Sequence, residues 1–239
     1  MIIGNKMVKR EYSTADIIEH IADLWQPLNE EQRAILANDF TIQRFRKNET
    51  IYCEGEKATH IMCLLSGKVK IVKDGVGGRT QIIRVIKPVE YFAYRAYFAD
   101  EEYVTAAAAF EPSVICMIPM KTITRLIGEN HQLAMFFIKQ LSKDLGIADE
   151  RTVSLTQKHI RGRLAEALLF LKENYGVEED ESTLSIYLSR EDLANLSNMT
   201  TSNAIRTLSI FASEKLIAID GRKIKLIDED RLRKISKIG

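Results

Sequence analysis

A chain of 239 residues, 46% hydrophobic and 28% charged, is long enough for one large domain or two small ones and too evenly mixed in sign to stay disordered. No apolar run approaches the roughly 18–20 residues of a membrane span, and MIIGNKMVKREYSTADIIEH has no signal-peptide core or cleavage site. A cytoplasmic protein without a membrane partner is expected. Three cysteines without CxxC spacing and four scattered histidines argue against a disulfide framework and a zinc site of common form, and a four-thiolate iron–sulfur cluster is one ligand short. Residues 187–239 carry ten basic against seven acidic side chains, a weak pointer to a polyanion.

The chain opens with helical spacing at Ile17, Ile21 and Leu24, then at Ile35 and Leu36, with Asn29 and Gln32 as a capping box for the second helix. From about Thr41 the period changes to short β-branched segments divided by Gly, Pro, Asn and Asp, including TIQRFRKN, HIMCLLSGKVKIVKDG and YVTAAAAFEPSVICMIP. Several such strands in a row indicate a β sandwich or roll punctuated by Gly55, Gly67 and a DGVGG turn at 74–78. Cys53 and Cys63 in IYCEG and IMCLL read as buried small hydrophobes. A long helix is expected over about 121–154, with Leu133, Phe137, Gln140, Asp144 or Leu145, Ala148 and Thr152 as an imperfect heptad seam. Such a helix packs on its own domain, pairs with its copy in a homodimer, or does both. An amphipathic helix follows over Lys158–Tyr175, then an acidic loop, GVEEDES. The expected division is 1–156 and 157–239.

Residues 188–228 carry the strongest local signal. Ser189 caps a short helix with Asp192 in its first turn, Asn198 suits a left-handed turn residue, and Thr200 caps a second helix over Thr201–Phe211. Ala204, Leu208 and Phe211 face inward; Thr201, Ser202, Ile205, Arg206 and Ser209 face outward, with no carboxylate among them. A hairpin follows, its DG pair suggesting a type I′ turn, with Arg222, Lys223 and Lys225 at and beyond the tip. Helix–turn–helix–wing in this order predicts a second helix that enters the DNA major groove N-terminal end first. Thr200, Thr201, Ser202, Asn203 and Arg206 are the candidate contacts on that helix, Arg206 to guanine, with Arg222, Lys223 and Lys225 on phosphate.

The EGE at 54–56, LSGKVKIV, GRLAEALLFL and SREDLANLSNMTTSNAIRTL, in this order, resemble the Crp/Fnr family of bacterial transcription regulators. The resemblance implies an α+β chain: an N-terminal double-stranded β-helix (jelly-roll) sensor domain, a long dimerisation helix and a C-terminal winged helix-turn-helix. It also implies double-stranded DNA, a second copy and RNA polymerase as partners. In cyclic-nucleotide-binding relatives a Gly-Glu pair and an Arg-Ser pair hold the ligand. Here those positions are Ala93 and Tyr94, and about Tyr103 and Val104, while the adenine-contacting helix positions match Ala148 and Asp149. Without the arginine a cyclic phosphate loses about 1.5–3 kcal/mol, so cyclic AMP is not expected.

The N-terminal cysteine cluster of iron–sulfur relatives is absent from the sequence, and for haem His131 is the residue to watch, although a solvated helix-start residue is the plainer reading. The cofactor is left open. What remains in YFAYRAYFADEEYVTAAAA is an aromatic set, Phe92, Tyr94, Tyr97, Phe98 and Tyr103, with Arg95 as a substitute cation. These rings either line a pocket for an effector other than cyclic AMP or plug the roll, leaving a ligand-independent DNA binder. A cupin-like enzyme is a remote alternative, since His60 is the only histidine on the strands.

Overall fold

The computed structural model describes residues 12–75 and 80–238, so Val76, Gly77 and Gly78 of the expected DGVGG turn lie outside the described residues. Three helices come first: α1 (Thr14–His20), α2 (Ala22–Trp25) and α3 (Glu30–Asp39). The capping box predicted for α3 is present, the Asn29 side chain accepting from the Gln32 N–H at 2.9 Å and Gln32 returning the bond.

Strands β1 (Thr41–Phe45), β2 (Thr50–Tyr52), β3 (His60–Ser66), β4 (Val69–Asp74), β5 (Thr80–Ile86), β6 (Tyr91–Phe92), β7 (Ala106–Ala109) and β8 (Ser113–Pro119) follow, with a short α4 (Arg95–Phe98) after β6. They form two antiparallel sheets, β1-β8-β3-β6 and β2-β7-β4-β5, the double-layered roll expected. Met62, Leu64, Val69, Ile71, Ile86, Phe92 and Ile115 fill the space between the sheets. The alternate residues of β3, Ile61, Cys63 and Leu65, face the N-terminal helices. With both faces covered, β3 is buried almost throughout rather than alternating. Gly67 turns β3 into β4 at φ 91, where an added Cβ would sit 2.5 Å from the Pro112 carbonyl oxygen.

Helix α5 (Met120–Glu129) and helix α6 (His131–Gln157) replace the single helix expected over about 121–154. Asn130 divides them, extended at φ −142. Its amide donates to the Pro27 carbonyl at 2.8 Å and to Gln32 Oε1 at 3.0 Å, while its side-chain oxygen caps α6. The N-terminal helices thus claim Asn130 and break the helix. Part of the expected seam packs on its own domain, one of the alternatives the sequence allows. Leu133 and Phe137 are buried against their own roll, and the apolar residues that face solvent along α6 are Met135, Ile138, Leu145, Ile147 and Val153.

Helix α7 (Ile160–Tyr175) leads to α8 (Arg190–Leu196), α9 (Thr201–Ser213), β9 (Ile217–Asp220), β10 (Lys223–Leu226) and α10 (Glu229–Ile238). Leu164, Leu168, Leu193, Ala204, Leu208, Phe211, Leu216 and Leu232 form their core. Ile82, Val85 and Phe110 of the roll join the same cluster, so this unit packs on the outer face of the β4–β5 sheet. No helix among the described residues is long and apolar enough to cross a membrane.

Candidate nucleic-acid interface and sensor cleft

Ser189 caps α8, accepting from the Asp192 N–H at 2.9 Å, and Thr200 caps α9, accepting from the Asn203 N–H at 3.2 Å. Between them Asn198 takes φ 50, the left-handed conformation its side chain tolerates. Arg163 of α7 donates to the carbonyls of Ser197 and Asn198, both at 3.0 Å, and fixes the turn that sets the angle between the two helices. Sequence reasoning passed over Arg163, whose position on an amphipathic helix carries no mark of its role.

Along α9, Thr201, Ser202, Ile205, Arg206 and Ser209 are exposed and Asn203 is half-buried. Arg206 Nη2 donates to Asn203 Oδ1 at 2.9 Å, which aims the guanidinium along the exposed face. The wing departs from expectation at its tip. Asp220 pairs with Lys223, so Gly221 and Arg222 are the two turn residues, and of these Gly221 alone has positive φ, as in a type II′ turn rather than I′. Arg190 holds this tip, donating to the Gly221 carbonyl at 2.7 Å. Arg222 is exposed, whereas Lys223 pairs with Glu178 at 3.4 Å and Lys225 with Asp180 at 3.2 Å. The acidic loop therefore lies along the wing. The Thr183 N–H and hydroxyl and the Ser182 N–H, with Lys225 adding, hold the Asp180 carboxyl well below the usual range.

In the roll, a cleft of about 400 Å³ lies between the segment 92–105 and α6. Phe92, Tyr94, Arg95, Tyr103 and Ala148 of the expected set line it. Tyr97 does not: its hydroxyl accepts from Thr124 at 3.1 Å, and with Phe98 it borders a separate open cleft. Asp149 is exposed outside the cleft, and His131 is exposed at the start of α6. The polar lining residues Tyr52, Arg84, Thr105 and Asp144 were missed. Asp144 precedes Ala148 by one helical turn, a spacing that would have found it.

Tyr103 stands near the arginine position of cyclic-nucleotide binders. Its ring stacks on Tyr52 with centroids 3.9 Å apart, and its hydroxyl donates to the Ala93 carbonyl at 3.1 Å. Ala93 itself has φ 70, a conformation that favours glycine. Arg84 pairs with Asp144 at 2.6 Å, joining β5 to α6, and Arg95 pairs with Glu101 at 3.1 Å. Burial, with the Asp144 charge behind it, pushes the Tyr94 hydroxyl far up, so it stays a protonated donor to Asp144. Both cleft arginines are already matched by carboxylates, so among the described residues the cleft lining holds no unpaired arginine for a cyclic phosphate.

A two-sheet roll with a side cleft, a long helix running from it and a winged helix-turn-helix define the class: a regulator with a sensor-type domain and a DNA reader. Residues 42–130 match the cyclic nucleotide-binding domain and residues 162–235 the Crp-like helix-turn-helix domain. Over 88% of its length the chain is 21% identical to the CRP-like cAMP-activated global transcriptional regulator of Mycobacterium tuberculosis, covering 95% of that protein. Among solved structures it is similar to FixK2 of Bradyrhizobium japonicum, with TM-score 0.74 at 23% identity over 82% of this chain and 96% of the other. It is also similar to the c-di-GMP responsive global regulator CLP of Xanthomonas campestris, with TM-score 0.73 at 16% identity, covering 83% and 99%. The chain belongs to the Crp/Fnr family of transcription regulators, which is not a class of enzymes.

Proposed function

We propose that the chain works as a homodimer reading a two-fold-symmetric duplex site, with α9 of each copy in a major groove and half-sites about 34 Å apart. The observation that carries this reading is the exposed N-terminal half of α9. It presents Thr201, Ser202, Ile205 and Arg206 without a carboxylate, beside a wing whose tip is Arg222. Thr200 and Asn203 support the contact surface, Arg206 reads guanine, and Arg222 holds phosphate. Lys223 and Lys225 reach phosphate once they leave Glu178 and Asp180. The working units are 1–156 and 157–239, the exposed apolar stripe of α6 is the dimer seam, and RNA polymerase in the cytoplasm is the further partner.

The effector in this reading is a small molecule other than cyclic AMP, seated in the cleft lined by Phe92, Tyr94, Arg95, Tyr103 and Ala148. The open volume of about 400 Å³ favours a sensor over a plugged roll. Among relatives the named effectors already differ, cAMP for the mycobacterial protein and c-di-GMP for the Xanthomonas one. The test is selection from random duplexes with and without cell extract. Enrichment of a palindrome only with extract supports an effector. Enrichment without extract supports a constitutive reader, and no enrichment in either case overturns the DNA-reading function.

A further inference from the structure

The cleft beside α6 has a charge balance that limits what it can hold. Among the described residues its lining includes two cations, Arg84 and Arg95, and one carboxylate, Asp144, with no lysine or histidine. Arg84 Nη1 and the Tyr94 hydroxyl both donate to the same oxygen of Asp144, Oδ2, at 2.6 and 3.4 Å. No hydrogen bond reaches Oδ1 among the described residues. Asp144 is half-buried and held from β5 by Arg84, so the wall of the cleft presents Oδ1 as a preset acceptor.

Most of the remaining lining is apolar and flat-faced. Tyr52 and Tyr103 stack with centroids 3.9 Å apart, and Phe92, Ile83, Leu141 and Ala148 stand around them. A ligand charge is costly to bury here. An anion meets the Asp144 carboxylate with no unpaired arginine opposite it, and a cation meets Arg84 beside that carboxylate. A neutral N–H or O–H instead gains a charge-assisted bond to Oδ1 and leaves the Arg84 pair in place. Planar rings pack face to face or edge to face on the aromatic walls.

Resting on the reading that this cleft holds an effector, we infer that Asp144 selects it: the ligand is an uncharged aromatic molecule whose N–H or O–H donates to Asp144 Oδ1. Asp144 belongs to α6 and is tied to β5 through Arg84, so an occupied cleft adds a third member to the contact joining these two elements.

Three probes built on one ring system separate the requirements: indole, 1-methylindole, which lacks the donor, and indole-3-acetate, which adds a negative charge. In calorimetric titration of the full chain at neutral pH, indole should bind about tenfold or more tightly than either of the others. Asp144→Ala should remove the preference for indole over 1-methylindole. Ala148→Phe, which fills the cleft from an exposed position on α6, should abolish binding of all three. The wild-type affinity ratio tests the inference even if Asp144→Ala fails to fold. Equal affinity for indole and 1-methylindole, or tighter binding of indole-3-acetate, overturns the inference and leaves the cleft a site for other chemistry. Indole binding that survives Ala148→Phe overturns it too, by placing the ring elsewhere. Binding of none of the three, with DNA selection still dependent on cell extract, overturns this inference alone. Binding of none, with selection independent of extract, removes the effector reading as well.

Discussion

At the scale of single residues, the reader surface depends on how side chains are held before DNA arrives. Arg206 is bonded to Asn203 and projects from a capped helix, so little ordering is needed for a bidentate contact to a guanine. Arg206→Ala should cost about 1–3 kcal/mol on the selected site and relax the preference at one base position. Equal losses on selected and random duplexes, measured by fluorescence anisotropy, would remove that assignment. The cysteines separate by burial. Cys63 and Cys116 face each other across β3 and β8, and burial raises both thiols, Cys116 to about 12. Cys53, expected inside, is exposed at the end of β2. A thiol reagent at neutral pH should therefore titrate one thiol rapidly and the other two only on unfolding; three rapid thiols would contradict this packing. Asp180 has a depressed pKa in the folded chain, so its contribution is complete above the ordinary aspartate value of about 4 and is lost as pH falls below it. Asp180→Asn should be less stable than wild type at neutral pH, and urea midpoints should show the gap closing toward pH 2. A gap that persists in acid would mean the charge is not what stabilises this loop.

At the scale of elements, α6 shows what the pattern reveals and what it hides. Met135, Ile138 and Leu145 are 46%, 53% and 64% exposed on one stripe, a face that a second copy would cover. Burying one such side chain contributes about 1.5–3 kcal/mol, and a glutamate there brings an unpaired charge into the seam. Leu145→Glu should shift the protein to monomer at micromolar concentration in sedimentation while far-UV dichroism is unchanged. A dimer of wild-type strength would place the interface elsewhere. Leu133 and Phe137, two positions of the expected seam, take the alternative in which the helix packs on its own domain. Local chemistry was legible: the caps at Asn29, Ser189 and Thr200 and the left-handed Asn198 each depend on one or two neighbouring residues. Asn130 was not, since the partners that break the helix are Pro27 and Gln32, about a hundred positions away. The cleft was half legible for a similar reason. Its aromatic rim is contiguous in sequence, whereas Arg84 and Asp144 meet only through the fold.

At the scale of the whole molecule, the question is what keeps the reader seated on the roll. Strand β5 is the edge of its sheet, with carbonyls free on the outer side. Arg151 of α6 closes that edge, donating to the Ile82 and Ile83 carbonyls and, at 3.3 Å, to the Leu196 carbonyl at the end of α8. Gln81 reaches the Asn195 carbonyl at 2.7 Å, and Lys70 pairs with Asp192 alongside. The next residue on β5, Arg84, lines the cleft beside α6 and holds Asp144. One strand therefore touches the cleft on one side and the reader on the other, with α6 bonded to it twice. Hydrogen bonds from a charged group are worth about 1.5–3 kcal/mol each, and burial lowers the Arg151 pKa without removing its charge at neutral pH. Arg151→Met keeps the length of the side chain and removes all three bonds. The wild type should unfold calorimetrically as one unit, whereas Arg151→Met should show two transitions and faster protease cleavage near Lys158, between α6 and α7. A single transition with unchanged cleavage would mean that the apolar contact of Ile82, Val85 and Phe110 with the reader core suffices to couple the two units.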